Sequence, residues 1–277
     1  MPVRNGATTI GGQLRALADQ DFAGPWEVVV ADNGSTDRTL DVVEAWRGRL
    51  PALRVVDASA RANVNVARNA GASAARGAVF LFADADDEVH PTWITAMVAV
   101  LDDHDLACGV AEAFDDRGRD RGVIMAAGPD LALDLLPYAI GANLGVRREA
   151  FEQVGGFDDR WPVLGSDDID FCWRAQLAGA ELGFSDAVRI RYRQPATPGA
   201  TFAKQRGYGR GTVVLGRRFA GDGARPWTGR YVARNVVALG RDLPWLLSDR
   251  RRLAWVKRAG WVVGVAEELV RRRDRLS

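Results

Sequence analysis

Cysteine, histidine and long apolar runs are all scarce in this chain. Of 277 residues two are cysteine and two are histidine. Cys108 and Cys172 are far apart and form no CxxC pair, which excludes a disulfide scaffold and a thiolate metal knuckle. They read as buried free thiols, which fits a reducing cytoplasm. No apolar stretch approaches the ~18–20 residues that cross a bilayer. Met1-Pro2-Val3-Arg4-Asn5-Gly6 lacks an apolar segment, so no secretory signal is predicted. No internal repeat is evident. With 47 % hydrophobic and 26 % charged residues, the composition excludes disorder and collagen-like structure and supports a sizeable core.

Net charge is nearly absent too, at +1, but the balance is uneven. Residues 1–203 carry 19 basic and 30 acidic groups, whereas residues 204–277 carry 18 basic and 6 acidic. An acidic body joined to a basic tail predicts an anionic partner for the tail.

Apolar runs at Glu27–Ala31, Leu53–Val56 and Ala78–Phe82 predict buried strands. Between them, Ile10, Leu14 and Leu17 fall at helical spacing, as do Leu40, Val43 and Trp46. Pro91 suits the first turn of a helix carrying Ile94, Met97 and Leu101. This alternation predicts an α/β fold, a mainly parallel sheet flanked by helices. Further strands are expected at Leu106–Phe114 and in Ala139–Val146, with a charged turn at Asp115–Gly122. Helices are expected at Arg147–Val154 and about Asp167–Ala178, and beyond Pro198 the chain reads as wholly helical.

Three polar constellations stand at element ends. Asp32-Asn33-Gly34-Ser35-Thr36-Asp37 follows a buried strand, where parallel sheets bind ligands. The same residue types also make a tight turn with a helix cap. Asp84-Ala85-Asp86-Asp87 crowds three carboxylates after another strand, which calls for a hard cation such as Mg²⁺ or for full solvation. Gly165-Ser166-Asp167-Asp168-Ile169-Asp170 opens a helix, where acidic residues complement the dipole and where Asp168 can serve as a general base.

Taken in order, these stretches resemble the family 2 glycosyltransferases of the GT-A fold. The matching text is Pro2-Val3-Arg4-Asn5-Gly6, Ala31–Asp37, Ala67-Arg68-Asn69-Ala70-Gly71 with Ala75-Arg76-Gly77, and Phe82–Asp87. It continues through Gly141-Ala142-Asn143, Val154–Asp158 and Gly165–Arg174, covering about residues 1–193. The resemblance implies an inverting, nucleotide-sugar-dependent transferase. Pro2, Val3 and Asn5 would line the base and ribose pocket, with Asp32 and Asn33 facing the nucleobase. Arg68 would approach the diphosphate, and Asp84 and Asp86 would match the D-x-D, Asp86 holding Mg²⁺ or Mn²⁺. Asp167-Asp168 would match the acidic pair, Asp168 being the catalytic base. Gly141, Ala142 and Asn143 would lie near the donor sugar and the acceptor.

Two departures from the family stand out. Many relatives complete the metal site with a histidine where this chain has Val188-Arg189-Ile190-Arg191-Tyr192-Arg193; His90 and His104 are expected at the surface instead, and Arg191 or Arg193 is read toward diphosphate. Relatives also carry several β-branched residues before the Pro-x-x-Asn segment, where only Met1 stands. A missing central strand leaves backbone groups unpaired, so the start is expected to be shortened by roughly five to ten residues. The expected division is 1–196 as catalytic domain, with a depleted first strand, and 197–277 as helical basic extension. The extension alternates clusters such as Arg250-Arg251-Arg252, Lys257-Arg258 and Arg271-Arg272-Arg273 with Trp227, Trp245, Trp255 and Trp261. That pattern fits the plane of an anionic membrane surface or a cap on the catalytic domain. The expected protein is peripheral on the cytoplasmic face of the membrane, with a nucleotide-sugar donor and a lipid-linked or cell-envelope glycan acceptor. No nucleic-acid reading motif is present. The alternatives are a nucleotide-sugar-binding protein disabled by the missing strand and a nucleotidyltransferase. The latter is disfavoured because no glycine-rich phosphate loop lies near the N-terminus.

Overall fold

A computed structural model describes residues 1–115 and 117–271. The first sheet is built from β1 (Pro2–Val3), β2 (Val28–Asp32) and β3 (Leu53–Asp57), all parallel in the order β1-β2-β3. Their connections are α1 (Ile10–Ala18) and α2 (Thr39–Glu44), and α3 (Val64–Ala74) follows β3. β2 is buried along its whole length, and α1 buries Ile10, Gln13, Leu14 and Leu17, the i, i+3, i+4, i+7 stripe that faces a core. β1 has two residues, whose register places Val3 beside Asp32. A cavity of about 580 Å³ is lined by Met1, Val28 and Val29 together with Phe80 and Phe82.

The second sheet is built from β4 (Val79–Phe82), β5 (Glu88–Val89), β6 (Leu106–Asp115), β7 (Asp120–Ile124), β10 (Leu144–Arg147) and β11 (Leu182–Gln194). A small hairpin, β8 (Leu131–Ala132) with β9 (Leu136–Pro137), lies apart from it. The order is β4-β10-β6-β11-β5, with β7 on β6. Only the β6–β11 pairing is parallel here. The parallel expectation therefore holds for the first sheet, while the second is mixed. After β6 the chain turns back through the β7 hairpin instead of a crossover helix, and a hairpin return makes antiparallel neighbours. The charged turn predicted at Asp115–Gly122 thus runs into a strand; residue 116 within it lies outside the described residues.

α4 (Trp93–Asp103) closes one core over Val30, Ile10 and Leu14. α5 (Arg148–Gln153) and α6 (Asp167–Leu177) close the other, where Phe80, Phe82, Phe151, Phe157 and Phe171 pack edge-on and stacked. Cys108 and Cys172 are both buried and free, in this second core.

Beyond Pro198 the described chain is helical: α7 (Pro198–Arg218), α8 (Gly229–Arg241) and α9 (Asp249–Arg271), joined through 3-10 turns at Ala220–Asp222 and Leu243–Leu247. Thr197 caps α7 by accepting from Ala200 N at 3.2 Å, with proline in the first turn. α7 and α9 meet backbone to backbone. A Cβ on Gly260 would stand 2.5 Å from Phe202 O, and Gly209 and Gly264 face the opposite backbone as closely. Ion pairs Arg206–Glu267 (2.8 Å) and Arg210–Glu268 (3.2 Å) flank the crossing. The packing continues across residue 196, since Leu215 of α7 and Phe219 just beyond it share a cluster with Trp161 and Trp173. Arg272 and Arg273 lie outside the described residues. Among those described, no helix is long and apolar enough to cross a membrane.

Candidate active site

A cavity of about 850 Å³ opens at the carboxyl ends of β1, β2 and β4. Pro2, Val3, Asn5, Asn33, Asp84 and Asp86 line it, so the N-terminal segment and the D-x-D meet in one place. Asn5 adopts a left-handed backbone (φ 54°), and its Oδ1 accepts from Thr36 N at 2.8 Å. That bond ties the first loop to the β2 turn.

Asp32 and Asn33 are both buried. Both Asp32 oxygens accept from Ser35 N (3.1 and 3.3 Å), and Asp32 does not line the cavity. Asn33 Nδ2 donates to the carbonyls of Ala58 (2.5 Å) and Arg61 (2.8 Å), and its Oδ1 accepts from Asn63 N (3.0 Å). The side chain holds the segment before α3 in place along the cavity wall.

The acidic segment after β4 brings carboxylate oxygens of Asp84, Asp86 and Asp87 within 4.8 Å of one another. Asp87 is the buried member. Its Oδ1 accepts from Arg193 N at 2.7 Å, while buried Oδ2 has no hydrogen-bond partner among the described residues. Burial first, then Asp84 and Asp86, pushes the Asp87 carboxyl well above its ordinary value. Crowded oxygens with one orphan suit a hard divalent cation such as Mg²⁺ or Mn²⁺. Lys204 of α7 faces the same carboxylates, its Nζ donating to Tyr192 OH at 3.1 Å.

Arg68 stands at the centre. Its guanidinium donates to Asp167 Oδ2 (2.8 Å) and Asp84 Oδ1 (3.2 Å) and lies over the Phe157 ring. Burial opposes its charge, but Asp84, Asp167 and Asp168 together outweigh burial and hold its pKa up. It thus bridges the D-x-D and the acidic pair. A Cβ at Gly141 would stand 2.6 Å from Arg68 Nη2, so only glycine leaves room for the bridge.

Asp168, in the first turn of α6, accepts from Gly141 N (3.0 Å) and Ile169 N (2.9 Å). Burial, then the neighbouring Asp167, raises its carboxyl from 3.8 to about 6. It lines a second cavity, also about 850 Å³, together with Gly141 and Ala142. The two cavities share Val64, Asp84, Leu164, Gly165 and Asp167 as common walls.

Asn143 lies elsewhere, fully buried, accepting from Trp93 Nε1 (2.8 Å) and donating to Val110 O (3.3 Å). His90 and His104 are partly exposed: His90 faces Glu112 at 3.3 Å and His104 contacts Val100 O. Arg191 pairs with Glu88, and Arg193 donates from Nε to Asp86 O at 2.8 Å.

Sequence reasoning placed Asp87 in the acidic cluster but gave the metal role to Asp84 and Asp86 alone. It also passed over Arg210, Trp227 and Trp261, which reach the cavities from the extension, and Lys204, which acts on the acidic cluster. Their helical spacing carries no mark of that return.

The pattern of glycosyl transferase family 2 matches residues 1–155, and that of glycosyl transferase family group 2 matches residues 79–265. The uncharacterized protein y4gI of Sinorhizobium fredii is 24 % identical over 225 residues, spanning 72 % of this chain and 24 % of that protein. Glycosyltransferase AglE of Haloferax volcanii is 27 % identical over 223 residues, spanning 78 % of this chain and 72 % of AglE. The chain thus spans less than two thirds of some relatives it matches. Among solved structures, mannosyltransferase PcManGT from Pyrobaculum calidifontis, in complex with GDP-Man and Mn²⁺, superposes with a TM-score of 0.69 at 20 % identity. It covers 98 % of this chain and 86 % of that one. TarS 1–349 of Staphylococcus aureus, in complex with UDP-GlcNAc, gives 0.59 at 21 % identity over 99 % and 90 % of the two chains. The architecture is accordingly the mixed α/β GT-A fold with a helical C-terminal region. With family patterns covering most of its length and the acidic motifs gathered around Arg68, the chain belongs to glycosyl transferase family 2.

Proposed function

We propose that this chain is an inverting glycosyltransferase that moves a sugar from a nucleoside-diphosphate donor to an acceptor hydroxyl. One observation carries the reading: Asp84 and Asp86 face the first cavity, Asp168 faces the second, and the two cavities share a wall. A donor in the first cavity presents its anomeric carbon to an acceptor in the second. The complexes of PcManGT with GDP-Man and of TarS with UDP-GlcNAc support a nucleotide sugar as donor.

In this reading Pro2, Val3 and Asn5 bound the nucleoside end, with Asn33 fixing the loop beside it. Arg4 and Arg210, which also line the first cavity, offer positive charge to the diphosphate. Asp84, Asp86 and Asp87 hold Mg²⁺ or Mn²⁺, which when bound neutralises negative charge on the departing diphosphate. Asp168 takes the proton of the acceptor hydroxyl as its oxygen bonds to the anomeric carbon. The bond from that carbon to the diphosphate oxygen breaks, its electron pair leaving with the nucleoside diphosphate. Attack from the face opposite the leaving group inverts the configuration. Arg68 keeps Asp84 and Asp167 in register across the junction.

Residues 1–196 act as the catalytic body and 197–277 as an extension that completes the cavities and faces an anionic membrane surface. Exposed Val237 (74 %) and Leu247 (89 %), with Arg230 and Arg234 also exposed on the extension, support that face. A lipid-linked or cell-envelope glycan as acceptor, at the cytoplasmic side, follows from it.

The test is a nucleotide-sugar panel with and without Mn²⁺ or Mg²⁺, following nucleoside diphosphate release and the product anomer by NMR. Metal-stimulated turnover with an inverted product is expected. Nucleotide binding without transfer or donor hydrolysis supports the binding-only alternative instead, and absence of nucleotide binding refutes both.

A further inference from the structure

The second cavity concentrates the tyrosines of the chain. All four tyrosines in the sequence, Tyr138, Tyr192, Tyr208 and Tyr231, line it, together with Trp227 and Trp261. Tyr208, Trp227, Tyr231 and Trp261 come from the helical extension. Trp227 packs on Tyr231 with centroids 4.1 Å apart and meets Trp261 edge-on at 6.2 Å. Its Nε1 donates to Thr212 Oγ1 at 3.1 Å, which fixes the ring plane. The volume, about 850 Å³, falls in the ~300–1,000 Å³ range of sites that engulf a small ligand.

Charge in the wall is unfavourable to anions. Its cations are Arg68, bound to Asp84 and Asp167, and Arg225, which is exposed and paired with Asp134 at 3.0 Å. Asp84, Asp134, Asp167 and Asp168 outnumber them. Leu131 (59 % exposed) and Leu164 (64 %) line the same cavity, giving it an apolar rim.

We propose that this cavity is the acceptor subsite and that it takes a neutral glycoside bearing an apolar aglycone. The sugar ring lies near Asp168, and the aglycone lies against Trp227 and Trp261. The assignment rests on the reading of Asp168 as the base of a sugar transfer. Aromatic faces hold apolar C–H surface and rigid rings at little entropic cost. A polyanionic acceptor, such as a chain of polyol phosphates, finds no unpaired cation in the wall among the described residues and meets an acidic surplus.

The experiment measures binding to the full chain by titration calorimetry, using hexyl glycosides of glucose, galactose and mannose, the three free sugars, a polyol-phosphate oligomer, UDP and GDP. At least one hexyl glycoside is expected to bind, its free sugar at least tenfold more weakly, and the polyol phosphate not at all. Trp227→Ala should weaken the glycoside about tenfold and leave UDP affinity unchanged, which also verifies folding; Trp227→Phe, which keeps a ring, should lose less than threefold. Glycoside affinity equal in wild type and Trp227→Ala, with UDP binding intact, overturns the proposal, as does tight Trp227-dependent binding of the polyol phosphate. If the wild type binds neither UDP nor GDP the transferase reading fails, whereas nucleotide binding with Trp227-independent glycoside affinity overturns the acceptor assignment alone.

Discussion

Replacing Asp168 by Asn should move activity and stability in opposite directions. The carboxylate sits at about 6 in the folded chain against 3.8 for a free aspartate, raised by burial and then by Asp167. Because the folded pKa lies above the unfolded one, folding favours the protonated form. Stability therefore falls as pH rises through the window between these values and stays lowered above it. At ~1.4 kcal/mol per pKa unit the ionised carboxylate costs up to about 3 kcal/mol at pH 7. Asn removes that cost, but its amide nitrogen meets one of the two backbone donors, Gly141 N or Ile169 N. Losing that hydrogen bond takes back about 1 kcal/mol. The expected net is a gain of about 1–2 kcal/mol at pH 7, shrinking to nothing or below at pH 4, where the wild-type carboxyl is protonated. Turnover should fall by roughly 10²–10⁴ with the proton acceptor gone. Wild-type turnover should itself decline below about pH 6 as Asp168 protonates. Urea unfolding at both pH values, alongside nucleoside diphosphate release and UDP affinity, reads all of these. A variant with near-wild-type turnover refutes the role of Asp168, and a stability change equal at pH 4 and pH 7 refutes the electrostatic account.

Other outcomes follow from the same contacts. Asp87→Asn should weaken Mn²⁺ binding at least tenfold by calorimetry, because it removes charge from a three-carboxylate set and leaves a neutral oxygen at the orphan position. Gly141→Ala should disturb the Arg68 bridge, since its Cβ overlaps the guanidinium; uncoupling a buried charge costs about 3–5 kcal/mol, seen as a lowered urea midpoint. Asn33→Asp should destabilise by at least about 2 kcal/mol at neutral pH, because a carboxylate replaces the amide that donates to Ala58 and Arg61 carbonyls; the loss should shrink in acid, where the carboxyl regains a donor. The double change Arg230→Glu, Arg234→Glu should abolish salt-sensitive sedimentation with phosphatidylserine vesicles and leave UDP affinity unaltered.

The local motifs were legible wherever a residue acts at its own element end. Asp84 and Asp86 follow a strand of alternating burial, and Asp168 opens a helix, so position along the chain locates both. Asn143 illustrates the opposite. A polar residue in an apolar run reads as a ligand contact, yet Trp93, fifty residues upstream, claims it as a buried acceptor. Arg68 was legible as a site residue but not in its role, because nothing local reveals that two carboxylates from distant segments converge on it. The antiparallel pairings of the second sheet escaped for a related reason. Strand periodicity reports burial, not the direction of the neighbour, and the β6–β7 turn set that direction. The inward return of α7 was open in the sequence as a cap on the catalytic domain, but the seam of glycines that seats α9 on α7 is hidden among basic residues.

That seam also limits how the protein can be shortened or tagged. Side-chain-free contact lets α9 settle on α7 at one depth, with Glu268 then meeting Arg210, whose residue lines the first cavity. Trimming the chain ahead of Asp249 to isolate a minimal body would strip the anchor from an arginine of the first cavity and expose Trp227 where Trp261 had been. An expression design that ends near residue 248 therefore yields a different enzyme, not a smaller one.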